Sequence, residues 1–282
     1  MKHNIESVKF EITDICNFKC KYCFAGHRLQ GKKLSCAQAF KLINSLAAAG
    51  CKKLSFIGGE PTLCDWLPEL IKYAKSLGLV TTIVTNGTGL TDTFLSEVSD
   101  CLDWVCISVD SLYADSLNKI GRICRGNSID PDFYYKIVDK VKKAGYRLKI
   151  NTVVSSVNCG EDLSDFINYA MPERWRIFQV MPITARACEF AISIEMFSSF
   201  RNRHRKLINP VIDADFDENA ILSAEYILLD PIGRFFQNVS GEYRYSSPIL
   251  DVGVEQALNQ VFAEEKKPIS PGLSGMQLVT AL

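Results

Sequence analysis

A chain of 282 residues, 47% hydrophobic and 23% charged, is large enough to bury one sizeable core. Lysine plus arginine balances aspartate plus glutamate at 32 each, which excludes a global pull toward nucleic acid or an anionic membrane surface. With no apolar h-region at the N-terminus and no run of about 18 apolar residues, the eleven cysteines, an odd number, read as reduced thiols of a soluble, cytoplasmic protein.

Short β-branched runs alternate with helical patterns, as in a parallel sheet wrapped by crossover helices. The chain predicts a strand over Val8–Ile12, a helix over Cys36–Ala49 with Ser35 as its N-cap, and a strand over Lys53–Ile57. A helix over Trp66–Leu77, a strand over Thr81–Thr85, a helix over Thr93–Asp100 and a strand over Trp104–Val109 follow. Then come a helix over Pro131–Ala144, a strand over Arg147–Val154, a helix over Asp162–Ala170, a strand over Arg176–Val180 and a helix over Glu195–Lys206. Beyond Lys206 the pattern changes to a hairpin, Ala224–Leu229 with Arg234–Gln237, turning at Pro231–Gly233. The expected fold class is therefore α/β, a partial (βα)6 barrel over residues 1–206 with a C-terminal extension over 207–282, whose tail, 268–282, is expected to fray.

Cys16, Cys20 and Cys23 lie directly after the first strand, at the strand end where barrel active sites are built. Three thiolates can hold three irons of a cubane and leave the fourth open, whereas clusters that only carry electrons take four cysteines. The alternative is zinc, completed by a fourth ligand such as His27. Gly58, Gly59, Glu60 and Pro61 follow the second strand, where backbone without Cβ can approach a ligand and a carboxylate can accept from an amine. Thr85, Asn86 and Gly87 end the third strand, and Ser108, Val109 and Asp110 end the fourth. Arg122 follows as a potential donor to a carboxylate. The remaining cysteines, Cys36 to Cys188, show no tight metal spacing.

The CxxxCxxC spacing, with these motifs in barrel order, resembles the radical S-adenosylmethionine superfamily. That resemblance implies a 4Fe–4S cluster on the three cysteines and S-adenosylmethionine on the open iron, held by Gly58, Gly59, Glu60, Asn86, Ser108 and Arg122. No cysteine follows Cys188, which argues against an auxiliary cluster.

Basic residues recur on the strands: Lys53, then Lys149 with Asn151, then Arg174 with Arg176. Converging, they would suit a polyphosphate; singly, each reads as a solvated charge. The segments Lys53–Pro61, Lys149–Val154, Arg174–Gln179, Tyr226–Asp230 and Ile249–Val254 resemble the viperins. The resemblance implies dehydration of a ribonucleoside triphosphate (CTP, UTP or GTP) to its 3'-deoxy-3',4'-didehydro form, a chain-terminating antiviral or antiphage nucleotide, by 5'-deoxyadenosyl radical abstraction of the ribose 4' hydrogen. Lys53, Lys149, Arg174 and Arg176 would hold the triphosphate, Asn151 would lie beside the ribose and phosphates, and Tyr226 would add a contact from the extension. A flavodoxin or ferredoxin would supply electrons to what is expected to be a monomer.

Two departures bear on the reading. Animal viperins carry an asparagine near the position of Lys9 that helps read cytosine, so the base is left open here. Their N-terminal amphipathic helix has no counterpart before the first strand, as in short prokaryotic relatives. The competing reading keeps the superfamily but takes a peptide or another small molecule as substrate.

Overall fold

The computed structural model describes residues 5–24, 29, 31–124, 126–207, 213–217, 227–239 and 242–262. In chain order it has β1 (Ser7–Glu11), α1 (Cys36–Ala48), β2 (Lys53–Ile57), α2 (Leu67–Ser76), β3 (Val80–Thr85), α3 (Asp92–Glu97) and β4 (Trp104–Ser108). Next come α4 (Ala114–Ile120), the short pair β5 (Ile123–Cys124) and β6 (Asn127–Ser128), α5 (Asp132–Lys143), β7 (Arg147–Val154), α6 (Ser164–Ala170) and β8 (Arg174–Gln179). The rest comprises α7 (Ala185–Cys188), α8 (Ile194–Arg203), β9 (Asp213–Asp217), β10 (Ile227–Leu229), β11 (Arg234–Val239) and β12 (Glu242–Pro248), then helices Ile249–Val252 and Val254–Phe262.

Ten strands form one sheet in the order β12-β11-β10-β1-β2-β3-β4-β7-β8-β9. Every pair from β10 through β9 is parallel, and β10, β11 and β12 join as antiparallel neighbours. The six predicted strands are the centre of this sheet, the partial (βα) barrel. Strands from the C-terminal extension lengthen it at both edges, β9 beside β8 and β10 beside β1. The predicted hairpin is β10 with β11, joined in the register Leu228 to Phe236.

Strand alternation divides the sheet into two faces. On one, Val8, Phe10, Leu54, Phe56, Val105, Ile107, Ile150, Trp175 and Ile177 are wholly buried under the helices. Each such side chain contributes about 1.5–3 kcal/mol on burial, so this face carries the stability and the other is left to polar residues. The helices begin where the sequence says they should. Ser35 caps α1 through a capping box with Gln38, its hydroxyl accepting from the Gln38 amide at 3.3 Å. Among the described residues no helix is long and apolar enough to cross a membrane.

Candidate active site

The cysteine loop leaves β1 and is clasped from two sides. The turn after β2 donates to it, Gly59 N–H to the Thr13 carbonyl at 2.7 Å and Glu60 N–H to that of Ile15 at 2.8 Å. From the other side Lys19 N–H donates to the Gly121 carbonyl at 3.1 Å and Lys21 N–H to that of Ile120 at 2.8 Å, at the end of α4. The glycines are dictated by this contact. A Cβ on Gly58 would lie 2.3 Å from the Thr13 carbonyl oxygen, and one on Gly59 would lie 2.2 Å from that of Ile15. Their bare backbones thus make room for the cysteine loop, a tighter demand than the ligand approach read from sequence. Gly121, at φ 89°, does the same for the Lys19 carbonyl.

Cys16 and Cys20 are half-buried, and Cys23 is exposed. Burial raises the Cys16 thiol and pushes that of Cys20 up to about 12, so both are neutral until a metal takes the proton. Among the described residues no three His, Cys, Asp or Glu side chains converge on a single-ion site. A cubane asks something different, one thiolate for each of three irons. Three thiols on one pinned loop, none of them in a disulfide, fit that group. His27 lies outside the described residues.

Glu60 is fully buried. Its carboxylate accepts from the Thr62 amide at 3.1 Å, the Thr62 hydroxyl at 2.6 Å, the Thr85 hydroxyl at 2.7 Å and the Asn86 amide at 2.8 Å. Burial nonetheless holds its pKa above the usual carboxylate value. Glu60 therefore ties the end of β2 to the end of β3. Asn86 extends the tie to the cysteines: its Nδ2 donates to Asn17 Oδ1 at 2.8 Å and lies 3.9 Å from Cys16 Sγ.

Arg122 is buried and engaged within the protein. Its Nη1 pairs with Asp110 Oδ2, its Nη2 donates to the Ser108 carbonyl at 2.6 Å, and its Nε donates to the Tyr134 hydroxyl at 3.1 Å. Asp110 also accepts from the Tyr22 hydroxyl at 2.8 Å and the Val153 amide at 2.8 Å. Burial first, then the Asp110 charge, holds the Tyr22 phenol well above its usual value. Through this network Tyr22, inside the cysteine motif, is fastened to the ends of β4 and β7. Arg122, expected from sequence to donate to a methionyl carboxylate, stands here on Ser108 and Asp110, beside the cysteine motif.

The predicted basic residues share one face, opposite the helices. In register Lys149 pairs with Cys106 and Arg174, while Asn151 pairs with Ser108 and Arg176. Lys53 opens β2 on the same face, and Lys149 and Arg174 act on its charge. Burial first, then those two neighbours, holds the Lys53 ammonium below the ordinary lysine value. Its Nζ lies 5.9 Å above the Trp104 ring, and Arg147 covers the same ring at 3.7 Å. Asn151 Oδ1 is buried without a hydrogen-bond partner among the described residues. The structure thus gathers cations and an unpartnered acceptor on one face of the sheet, an arrangement that favours an anion. Tyr226 lies outside the described residues.

Several residues here are missed by sequence reasoning. Thr82 and Cys106 look like ordinary strand residues, and only cross-strand register sets them beside Ser55 and Lys149. Gly121 was hidden because α4 is a short helix with no side-chain cap.

A parallel partial barrel carrying a CxxxCxxC loop at the end of its first strand defines a radical S-adenosylmethionine protein, and the Radical SAM superfamily model matches residues 10–170. Solved structures share the fold: Streptococcus suis SuiB bound to S-adenosylmethionine aligns with a TM-score of 0.66 at 15% identity, covering 82% of this chain and 60% of that one. The anSMEcpe structure with bound AdoMet and a Kp18Cys peptide aligns at 0.69 and 13% identity, covering 90% and 80%.

Within that superfamily the chain belongs to the S-adenosylmethionine-dependent nucleotide dehydratases. The protein of that name from Flammeovirga pacifica is 41% identical across 91% of both chains. The one from Lacinutrix mariniflava is 40% identical over 95% of this chain, which spans 58% of that relative's length. The nucleotide dehydratase RSAD2 of Oncorhynchus mykiss is 31% identical over 94% of this chain and 79% of its own.

Proposed function

We propose that the protein dehydrates a ribonucleoside triphosphate, CTP, UTP or GTP, to its 3'-deoxy-3',4'-didehydro analogue. The observation that carries this reading is the cationic face of Lys53, Lys149, Arg174 and Arg176 beneath the cysteine loop. The names of its relatives support it.

Cys16, Cys20 and Cys23 would hold the 4Fe–4S cluster, with Gly58, Gly59, Glu60, Asn86, Ser108 and Arg122 forming the adjoining S-adenosylmethionine site. Bound there, the two cofactors would supply radical chemistry for removal of the ribose 4' hydrogen and loss of the 3' hydroxyl as water, with electrons from a flavodoxin or ferredoxin. The protein's own work is positional, because a reactive radical attacks the C–H bond held nearest to it. Lys53, Lys149, Arg174 and Arg176 neutralise the triphosphate, and Asn151 Oδ1 accepts from a ribose hydroxyl. The extension 207–282 completes the nucleotide site, Tyr226 included. Two observations support that part: β10 pairs with β1, and the Tyr243 hydroxyl donates to the Phe24 carbonyl at 2.9 Å, one residue beyond Cys23.

The test is to incubate reconstituted, reduced protein with S-adenosylmethionine and each of the four ribonucleoside triphosphates. A didehydro product from at least one is expected. No such product from any of them, with 5'-deoxyadenosine formed regardless of nucleotide, would end this reading in favour of another substrate.

A further inference from the structure

The charges of the chain balance overall but not along it. From Ile15 to Gly59 there are eight lysines and arginines and no aspartate or glutamate, so the segment holding the cysteine loop and α1 is strongly basic in a neutral chain. Two of the eight are accounted for: Lys53 stands on the inner face, and Lys52 pairs with Glu6 at 2.7 Å. Among the others, Lys19, Lys32, Lys33 and Lys41 are exposed. Like charges gathered on one surface repel one another, and an acidic partner relieves that repulsion.

The fold brings part of this segment together beside the cysteines. Asp14, buried, accepts from the Leu29 amide at 2.7 Å and the Gly31 amide at 2.9 Å, which returns the chain to the start of the cysteine loop. A Cβ on Gly31 would lie 3.4 Å from Ile15 Cδ1, so Lys32 and Lys33 follow directly from a contact with Ile15. Lys33 Nζ sits 5.1 Å from the Trp66 ring and donates to Cys64 Sγ at 3.6 Å. The turn that carries Leu63 joins the same surface, since Glu60 N–H donates to the Ile15 carbonyl and Leu63 N–H to that of Glu60. Asp65 and Glu69 border it on the α2 side. Ile15, Leu63 and Phe24 are 46%, 43% and 40% exposed, so large apolar side chains face solvent within or against the loop whose Cys23 is also exposed. Exposed apolar groups interleaved with lysines have the composition of a docking surface for a protein of opposite charge.

We propose that this surface, with Ile15, Lys32, Lys33 and Leu63 at its centre, docks an acidic electron-carrier protein. This rests on the electron-donor part of the reading above and gives it a place on the molecule. In each encounter the carrier loses one electron and the group held by the cysteines gains it. The lysines would equally attract an anionic lipid surface, but lipid carries no electrons, and the cysteine loop is the part of the chain that needs them.

The experiment is calorimetric titration of the cluster-loaded protein, without nucleotide, with an oxidised flavodoxin of net negative charge. Affinity is expected to fall between about 0.01 M and about 0.15 M salt, over which the screening length shrinks from roughly 30 Å to roughly 8 Å. Lys32→Glu combined with Lys33→Glu should weaken binding about tenfold at the lower salt. The same double reversal at Lys136 and Lys143, exposed on α5, should leave it unchanged. Because Lys33 packs on Trp66, Lys32→Glu alone carries the comparison should the double variant fail to fold. With reduced flavodoxin the Lys32 and Lys33 variant should form 5'-deoxyadenosine more slowly, yet match wild type when photoreduced 5-deazariboflavin, small and uncharged, is the donor. No binding by wild type, salt-independent binding, equal loss in the α5 variant or slowing with both donors would each overturn the assignment. So would unchanged flavodoxin affinity alongside lost binding to vesicles of phosphatidylserine and phosphatidylcholine. None of these readouts uses nucleotide, so a failure here leaves the dehydration reading standing, and a failure of that reading leaves these results unchanged.

Discussion

Around the cysteines, polar groups are bonded to one another: Glu60 takes four donors, Arg122 uses each of its three nitrogens, and Asp110 takes Tyr22, Val153 and Arg122. On the inner face of the same strands, lysines and arginines crowd one another, and buried polar atoms, Thr82 Oγ1 and Asn151 Oδ1 among them, lack partners among the described residues. The first region is finished by folding, and its parts can be lost only at a structural cost. The second is left electrostatically incomplete and gains most from an anionic ligand. One sheet thus holds a polar network closed on itself around the cysteines and, on its inner face, a cationic surface, the two being the cofactor and substrate sites of the proposed reading.

The comparison breaks most severely at Asp110. Asp110→Ala would leave the Arg122 guanidinium buried without its counter-charge, and should lower unfolding stability by about 3–5 kcal/mol in urea denaturation, with reduced cluster content after reconstitution. Lys149→Ala attacks the other region and should behave oppositely. Its melting temperature should hold while triphosphate affinity falls by roughly tenfold to a hundredfold. Slow, uncoupled S-adenosylmethionine cleavage should persist, measured as 5'-deoxyadenosine; equal loss of cleavage and binding would dissolve the contrast.

A gentler probe is pH. The Lys53 ammonium is held below the ordinary lysine value, chiefly by burial, so it loses its proton earlier than a free lysine as pH rises. Nucleotide affinity should therefore fall on the alkaline side, and binding there should take up protons, because the phosphates raise the Lys53 pKa again. Titrations in buffers of different ionisation enthalpy measure that uptake, and Lys53→Met should abolish it. The smallest effect lies outside both regions. Ser35→Ala removes the α1 cap for about 1 kcal/mol and should leave nucleotide affinity and product formation unchanged.

How much of this was legible in the sequence follows the same division. The cysteine loop and the motifs at the ends of β2, β3 and β4 are local in the chain, and their order places them at one end of the sheet. The basic residues could be picked out, but their convergence depends on register: Lys149 meets Arg174 only through the pairing of β7 with β8. Thr82 was invisible for the same reason, since nothing in Val80–Thr85 distinguishes which threonine faces inward. The pairing of Arg122 with Asp110 was not legible, because the two lie on different elements and a buried ion pair leaves no mark in spacing. Strand β9 could not be foreseen from a segment of alternating aspartates, Asp213, Asp215 and Asp217, until its register opposite Arg174 and Arg176 was known.

The strand that carries the cysteines is flanked by β2 on one side and by β10, drawn from the far end of the chain, on the other. During synthesis β1 emerges early, yet one of its edges stays open until Ile227–Leu229 leave the ribosome. Pairings so remote in sequence form slowly, and an unpaired edge invites wrong partners meanwhile. The edge of the strand that leads into the cysteine loop is therefore closed late, only after translation has passed the extension.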